Sequence, residues 1–188
     1  MSAPAPGGPP VSGLATPSVA LAVAAHPDDV EFQAGATLAR WAAAGCAVHH
    51  LILTDGSKGT WDAGTDPAWL VHEREAEQRA AAIRLGGADG GVRFLRWPDG
   101  ELEAGMRQRA QVAAAIREVR PEVVLGHDPW RRYRLHPDHR NAGWLVCDAI
   151  VAAHPDDVEF QAGATLARWA SAGCAVHHLI LTLSLIHI

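Results

Sequence analysis

Residues 19–150 predict an α/β fold: a Rossmann-like parallel sheet with helices on both faces. Three observations carry the prediction. Short apolar runs alternate with longer stretches of helix formers. The runs are continuously apolar, as in strands buried on both faces. The joins hold Gly, Asp and Pro, which stop helices and turn the chain.

Val19–Ala25 is the first apolar run and reads as a buried strand. Helix formers from Val30 to Ala44 follow and stop at Gly45, a residue suited to the position just past a helix. Val48–Thr54 is the second strand, closed by Asp55-Gly56, and residues 55–67 form a Gly/Asp/Thr/Pro loop. Trp69–Leu85 reads as a helix ended by Gly86, with Glu75 and Arg79 spaced for an i,i+4 pair. Val92–Trp97 is the third strand, before Pro98-Asp99-Gly100. Leu102–Arg120 reads as a helix with Met106, Ala110, Ala113 and Ile116 on one stripe, and Pro121 stops it. Val123–Gly126 is the fourth strand. After the loop containing Arg131-Arg132-Tyr133-Arg134, Asp138–Ile150 forms the last helix. In such folds the ligand site lies beyond the carboxyl ends of the strands.

The chain has 188 residues, enough for one domain with one core. A formal net charge of −5 leaves no basic excess to hold a nucleic-acid backbone. Three cysteines (Cys46, Cys147, Cys174) make no disulfide framework, which suits a reducing cytoplasm. Residues 1–18 read as a disordered Pro/Gly-rich tail; no Lys or Arg precedes an apolar stretch, so this is not a secretion signal. No apolar run reaches the roughly 20 residues that span a bilayer.

One segment occurs twice. Val151–Thr182 repeats Val23–Thr54 with one change in 32 positions, Ser171 standing where the first copy has Ala43. A structural repeat diverges because each copy meets different neighbours, and two distant copies make no solenoid. Residues 151–182 therefore read as an artefactual duplicate, with a real recent duplication as the rival reading, and residues 183–188 (LSLIHI) as a sequencing-adapter-like tail, both excluded from fold reasoning.

Two segments at strand-to-helix junctions carry the chemistry: Ala25-His26-Pro27-Asp28-Asp29 and His136-Pro137-Asp138-His139-Arg140. Two imidazoles and a carboxylate are the three-ligand set of a catalytic zinc site that keeps its fourth position for water. Neighbouring strand ends can bring the segments together. A plainer reading stands beside this one. Asp28 with Glu31 has the spacing of a capping box, and Asp138 can cap the last helix. Arg74 and Glu75 also read as a solvated helix face. Adjacent His49 and His50 face opposite sides of the sheet as ordinary strand residues, His72 is a surface residue, and His127 can orient a ligand.

AHPDDVEFQAGATLA, LTDGSKGTWD, HEREAEQRAAAIRLGG, PDGEL and HPDHR together resemble the PIG-L/LmbE family of zinc-dependent N-deacetylases. The resemblance implies hydrolysis of the N-acetyl amide of an N-acetylglucosamine-type sugar conjugate, a small-molecule substrate, with one zinc ion per site. It implies His26, Asp29 and His139 as zinc ligands, Asp28 as general base, and His136 as the residue stabilising the oxyanion or assisting the leaving amine. Arg74, Asp99 and Asp138 become orienting or substrate-contact candidates. The resemblance also implies that the usual C-terminal part is missing, so an inactive truncated remnant, or an amidase acting on a thiol-sugar conjugate, stays open. A nucleotide-binding module is disfavoured, because the first strand-to-helix turn lacks a glycine-rich phosphate loop.

Overall fold

A computed structural model describes residues 15–87, 91–130 and 136–153. Four parallel strands, β1 (Val19–Ala24), β2 (Ala47–Thr54), β3 (Val92–Trp97) and β4 (Val123–Leu125), lie in the order β3-β2-β1-β4. Helices α1 (Asp29–Ala43), α2 (Pro67–Arg84) and α3 (Met106–Val119) make the crossovers, and α4 (Pro137–Ala153) follows β4.

Strand side chains alternate between two cores. Ala20, Ala22 and Ala24 of β1 pack with Val48 and Ile52 against Val30, Leu38 and Trp41 of α1. Leu21 and Val23 pack with Leu51 and Leu53 against Val112 and Ile116 of α3 and Leu145 and Val146 of α4. The alanine-lined face lets α1 approach closely; the bulkier face fills the space beneath the α3–α4 pair. Helix α1 ends as expected, with Gly45 at φ 95, a conformation that costs a glycine little.

Two elements depart from the sequence reading: α4 runs past Ile150 through Val151–Ala153, the first three residues of the repeated segment, with Ala153 buried in the core, and α3 starts late. Helix α3 begins at Met106 rather than Leu102, and its inner face is Gln108, Val112, Ala113, Ala115 and Ile116, whereas Met106 and Ala110 are exposed. Leu102 is buried outside the helix, where its N–H and C=O bond to Asp138 and Asn141 of α4. The helix starts a turn later than its sequence pattern implies, because a tertiary anchor at Leu102 holds residues 101–105 out of it.

Helix α2 is capped by Asp66, whose carboxylate accepts the Ala68 N–H. Glu75 lies 3.8 Å from Arg79, but its main partner is Arg96, which grips it with Nε and Nη2 at 2.5 and 2.9 Å. Arg96 sits at φ 56 in a register shift between β2 and β3, a bulge that turns it toward α2. Glu75 is therefore buried, not part of a solvated face.

The Arg131–Arg134 loop, most of the N-terminal tail, and the second copy from His154 with its tail lie outside the described residues. Among the described residues, no helix is long and apolar enough to cross a membrane.

Candidate metal centre

The order β3-β2-β1-β4 has its switch point between β1 and β4, whose following helices lie on opposite faces of the sheet and open a crevice at the carboxyl ends. The turn after β1 carries His26, Asp28 and Asp29; the segment after β4 carries His127 and leads to His136, Asp138 and His139 at the start of α4. Buried Thr54, at the end of β2, fixes the first turn: its N–H and Oγ1 both donate to the Ala25 carbonyl at 2.8 Å.

Four candidate ligand atoms of three residues meet in the crevice. His26 Nδ1 lies 3.2 Å from His139 Nε2 and 3.3 Å from Asp29 Oδ2, and His139 Nε2 lies 3.2 Å from Asp29 Oδ1. Tetrahedral zinc, with bonds of about 2.0–2.1 Å, holds its ligand atoms roughly 3.3 Å apart. The donor set thus fits zinc in both chemistry and spacing. Asp29 is aimed by the His26 N–H on Oδ2 (2.8 Å) and Gln33 Nε2 on Oδ1 (3.1 Å). His127 stacks on His139, with ring centroids 4.3 Å apart and planes 11° apart.

The opposite nitrogen of His26 faces two carboxylates. Nε2 lies 3.0 Å from Asp138 Oδ2 and 3.1 Å from Asp99 Oδ1. With the proton on Nε2, the Nδ1 lone pair points at Asp29 and His139, a carboxylate–histidine arrangement that sets the tautomer of a metal ligand. Asp138 is fully buried and also accepts the Gly100 N–H (2.7 Å) and Leu102 N–H (3.1 Å), which ties the loop after β3 to α4. Asp99 likewise accepts the Lys58 N–H at 3.1 Å. Asp99, His136 and Asp138 form a second cluster around His26, but Asp138 is saturated with donors and orients rather than stands free.

Three carboxylates, those of Asp29, Asp99 and Asp138, surround His26. Burial works against charge on His26, yet the carboxylates of Asp29 and Asp99 outweigh it and push its pKa up to about 10. Burial also opposes the Asp29 charge, but the imidazoles of His139 and His26 hold it well below the usual range. His127 itself is pushed down by burial, and its Nε2 accepts the Ala25 N–H at 3.1 Å. Its 3.4 Å approach to Asp29 Oδ2 is therefore a packing contact, because that lone pair is already used.

Asp28 is not a helix cap. It precedes α1 at φ 98, ψ −28, its side chain makes no capping bond, and Glu31 instead accepts from Gln78. A left-handed conformation costs a non-glycine residue roughly 1–3 kcal/mol and is tolerated best by Asp and Asn. Arg74 holds the turn, donating from Nη2 to Asp28 Oδ2 (2.5 Å) and to the Pro27 carbonyl (2.8 Å). Burial pushes the Asp28 carboxyl above its ordinary range despite Arg74. Asp138 does not cap α4 either, since its carboxylate points across to Gly100, Leu102 and His26. His136 is half-exposed at the rim, and burial followed by the nearby His26 lowers its pKa.

Gln78 looks like an ordinary polar helix residue and His50 like an ordinary strand residue in the sequence, yet both are fully buried behind this turn. The available signal was Gln78 four residues after Arg74 on one helix, a polar residue in line with apolar Ala82.

Comparison with known proteins accords with this architecture. Residues 21–150 match the profile of PIG-L, described as GlcNAc-PI de-N-acetylase. The diacetylchitobiose deacetylase of Thermococcus kodakarensis is 37% identical over 130 residues, covering 69% of this chain and 48% of that one. The 1D-myo-inositol 2-acetamido-2-deoxy-alpha-D-glucopyranoside deacetylase of Kineococcus radiotolerans is 34% identical, covering 80% and 50%. The solved N,N'-diacetylchitobiose deacetylase of Pyrococcus horikoshii superposes with a TM-score of 0.72 at 27% identity, covering 81% of this chain and 55% of that one. The chain thus spans about half the length of the curated relatives it matches. A profile match over most of the chain, on a fold whose crevice gathers the two His-Pro-Asp segments, shows that the chain belongs to the PIG-L family.

Proposed function

We propose that the protein hydrolyses the N-acetyl amide of an N-acetylglucosamine-type sugar conjugate, releasing acetate and a free amine, with one zinc ion held by His26, Asp29 and His139. The observation that carries this reading is the mutual 3.2–3.3 Å spacing of His26 Nδ1, His139 Nε2 and the Asp29 carboxylate oxygens. Relatives named for deacetylating chitobiose and a glucosamine–inositol conjugate support the substrate class. A net charge of −5 and three cysteines without a disulfide framework suit a small-molecule enzyme of a reducing cytoplasm.

When bound, zinc lowers the pKa of water toward 7 and polarises the amide carbonyl. The chain's own residues do the rest. Arg74 occupies Asp28 Oδ2, which leaves Oδ1 to take the proton of the attacking water and pass it to the departing amine. The raised Asp28 pKa suits a group that must hold that proton between the two steps. His136 Nδ1 accepts the Asp138 N–H at 3.3 Å, so the neutral ring carries its proton on Nε2, ready to donate to the oxygen that gains charge.

Amine release from N-acetylglucosaminides by the zinc-loaded chain tests the reading. Asp28→Asn is expected to keep stoichiometric zinc while turnover falls by about 100-fold or more. His139→Ala is expected to lose both. Equal zinc loss in the two variants would contradict the separation of ligand from base. Zinc binding without amine release by the unmodified chain would mark it as a binding remnant.

A further inference from the structure

Gln78 is a wholly buried amide with every polar atom committed. Its Oε1 accepts the backbone N–H of Asp28 at 2.9 Å, and its Nε2 donates to Glu31 Oε2 at 3.0 Å and lies 3.4 Å from His50 Nδ1. The amide orientation is unambiguous, since a backbone N–H can only donate and a carboxylate only accept. His50 lies beneath it on β2, fully buried, with Nδ1 turned to the amide and Nε2 without a partner among the described residues. One turn earlier on α2, Arg74 grips the Pro27 carbonyl and the Asp28 carboxylate.

Helix α2 thus holds the left-handed residue from both sides: Arg74 fixes its side chain and the carbonyl before it, and Gln78 fixes its N–H. We infer that Gln78, backed by His50 and Glu31, is a positioning residue that keeps the Asp28 backbone left-handed and so aims its carboxylate into the zinc crevice. The inference rests on the proposed hydrolysis for its catalytic consequence, but not for its structural one. Rotating Asp28 into the extended or right-handed region would swing the carboxylate away while His26 and Asp29, held by their own bonds, stay in place. Gln78 therefore affects the base without affecting the ligands.

The test uses the full chain and two variants. Gln78→Met removes both hydrogen bonds at similar volume. The exchanged pair Gln78→Glu with Glu31→Gln restores both bonds at unchanged net charge: residue 78 still accepts the Asp28 N–H, the bond between 78 and 31 reverses its donor, and His50 accommodates it by moving its ring proton to Nδ1. In Gln78→Met, peptide-level hydrogen exchange at the Asp28 amide is expected to speed up about tenfold or more. Zinc content should stay at one ion per chain, and kcat should fall about tenfold or more with KM within about twofold. The exchanged pair should bring protection and kcat back toward the unmodified values.

Unchanged exchange at Asp28 in Gln78→Met overturns the inference, and so does lost protection with unchanged kcat. If Gln78→Met fails to fold, the folded, zinc-loaded exchanged pair decides: protection at Asp28 and kcat that are retained together or lost together support the inference, and either one retained without the other overturns it. Zinc binding by the unmodified chain without amine release overturns the proposed hydrolysis instead, and exchange at Asp28 alone then decides the role of Gln78.

Discussion

Asp138 joins the loop after β3 to the metal centre through three donors on one carboxylate: the N–H groups of Gly100 and Leu102 and the Nε2 of His26. Removing it as Asp138→Ala strands buried donors and is expected to cost about 3 kcal/mol, read by urea unfolding. Asp138→Asn keeps the volume but presents an NH2 group where an acceptor is needed. It favours the His26 tautomer with its proton on Nδ1 and should weaken zinc binding about 10–100-fold in a chelator competition. His50 makes a different prediction. Burial, followed by the adjacent His49, pushes its pKa down to about 4 from 6.5, so the unfolded chain takes up a proton that the folded one refuses. The contribution of the neutral ring is complete above pH 6.5 and is lost as pH falls through that window toward 4. Between pH 7 and pH 5 this ring should remove about 2 kcal/mol of stability. His50→Leu should flatten that part of the stability–pH curve; an unchanged slope would show that the ring does not stay neutral on folding.

At the scale of elements, the site depends on how closely α4 seats against the chain leaving β4. Gly143 is the contact: a Cβ there would meet the His127 carbonyl oxygen at 2.6 Å and Pro129 Cδ at 2.8 Å. Backbone and a proline ring give little, so Gly143→Ala should displace α4 and cost about 1–3 kcal/mol in chemical unfolding. The same shift should loosen the stacking of His127 on His139 and weaken zinc binding. Helix α2 shows why a helix resists reading from its own sequence. Glu75, Arg74 and Gln78 look like surface charge and polarity, yet Glu75 is drawn in by Arg96 from a bulged β3, and Arg74 and Gln78 by the turn after β1. None of those partners is local. Leu102 likewise left its helix for a partner on α4.

For the whole molecule, zinc is expected to act as a brace, because the residues proposed to hold it come from opposite sides of the β1/β4 switch point. At a hundredfold excess over its dissociation constant, a ligand of the folded state alone adds about 2.7 kcal/mol. Zinc should therefore raise the thermal midpoint by several degrees and a chelator should reverse it, with His139→Ala abolishing the shift. The strands, the helices that join them and the two His-Pro-Asp segments were legible in the sequence because they are local: apolar runs, glycine stops and motif spacing are written in consecutive residues. The departures came where a distant partner decided the outcome: the start of α3, the burial of Glu75, and the use of Asp28 and Asp138 for something other than capping. Composition and periodicity determined that this chain makes a parallel α/β sheet and where its reactive turns fall along the chain. Only tertiary packing decided that His26 turns one nitrogen to Asp29 and His139 and the other to Asp99 and Asp138, and that Gln78 lies under Asp28. Those contacts join residues up to 113 positions apart, and their strength comes from shared burial, which no single stretch of sequence contains.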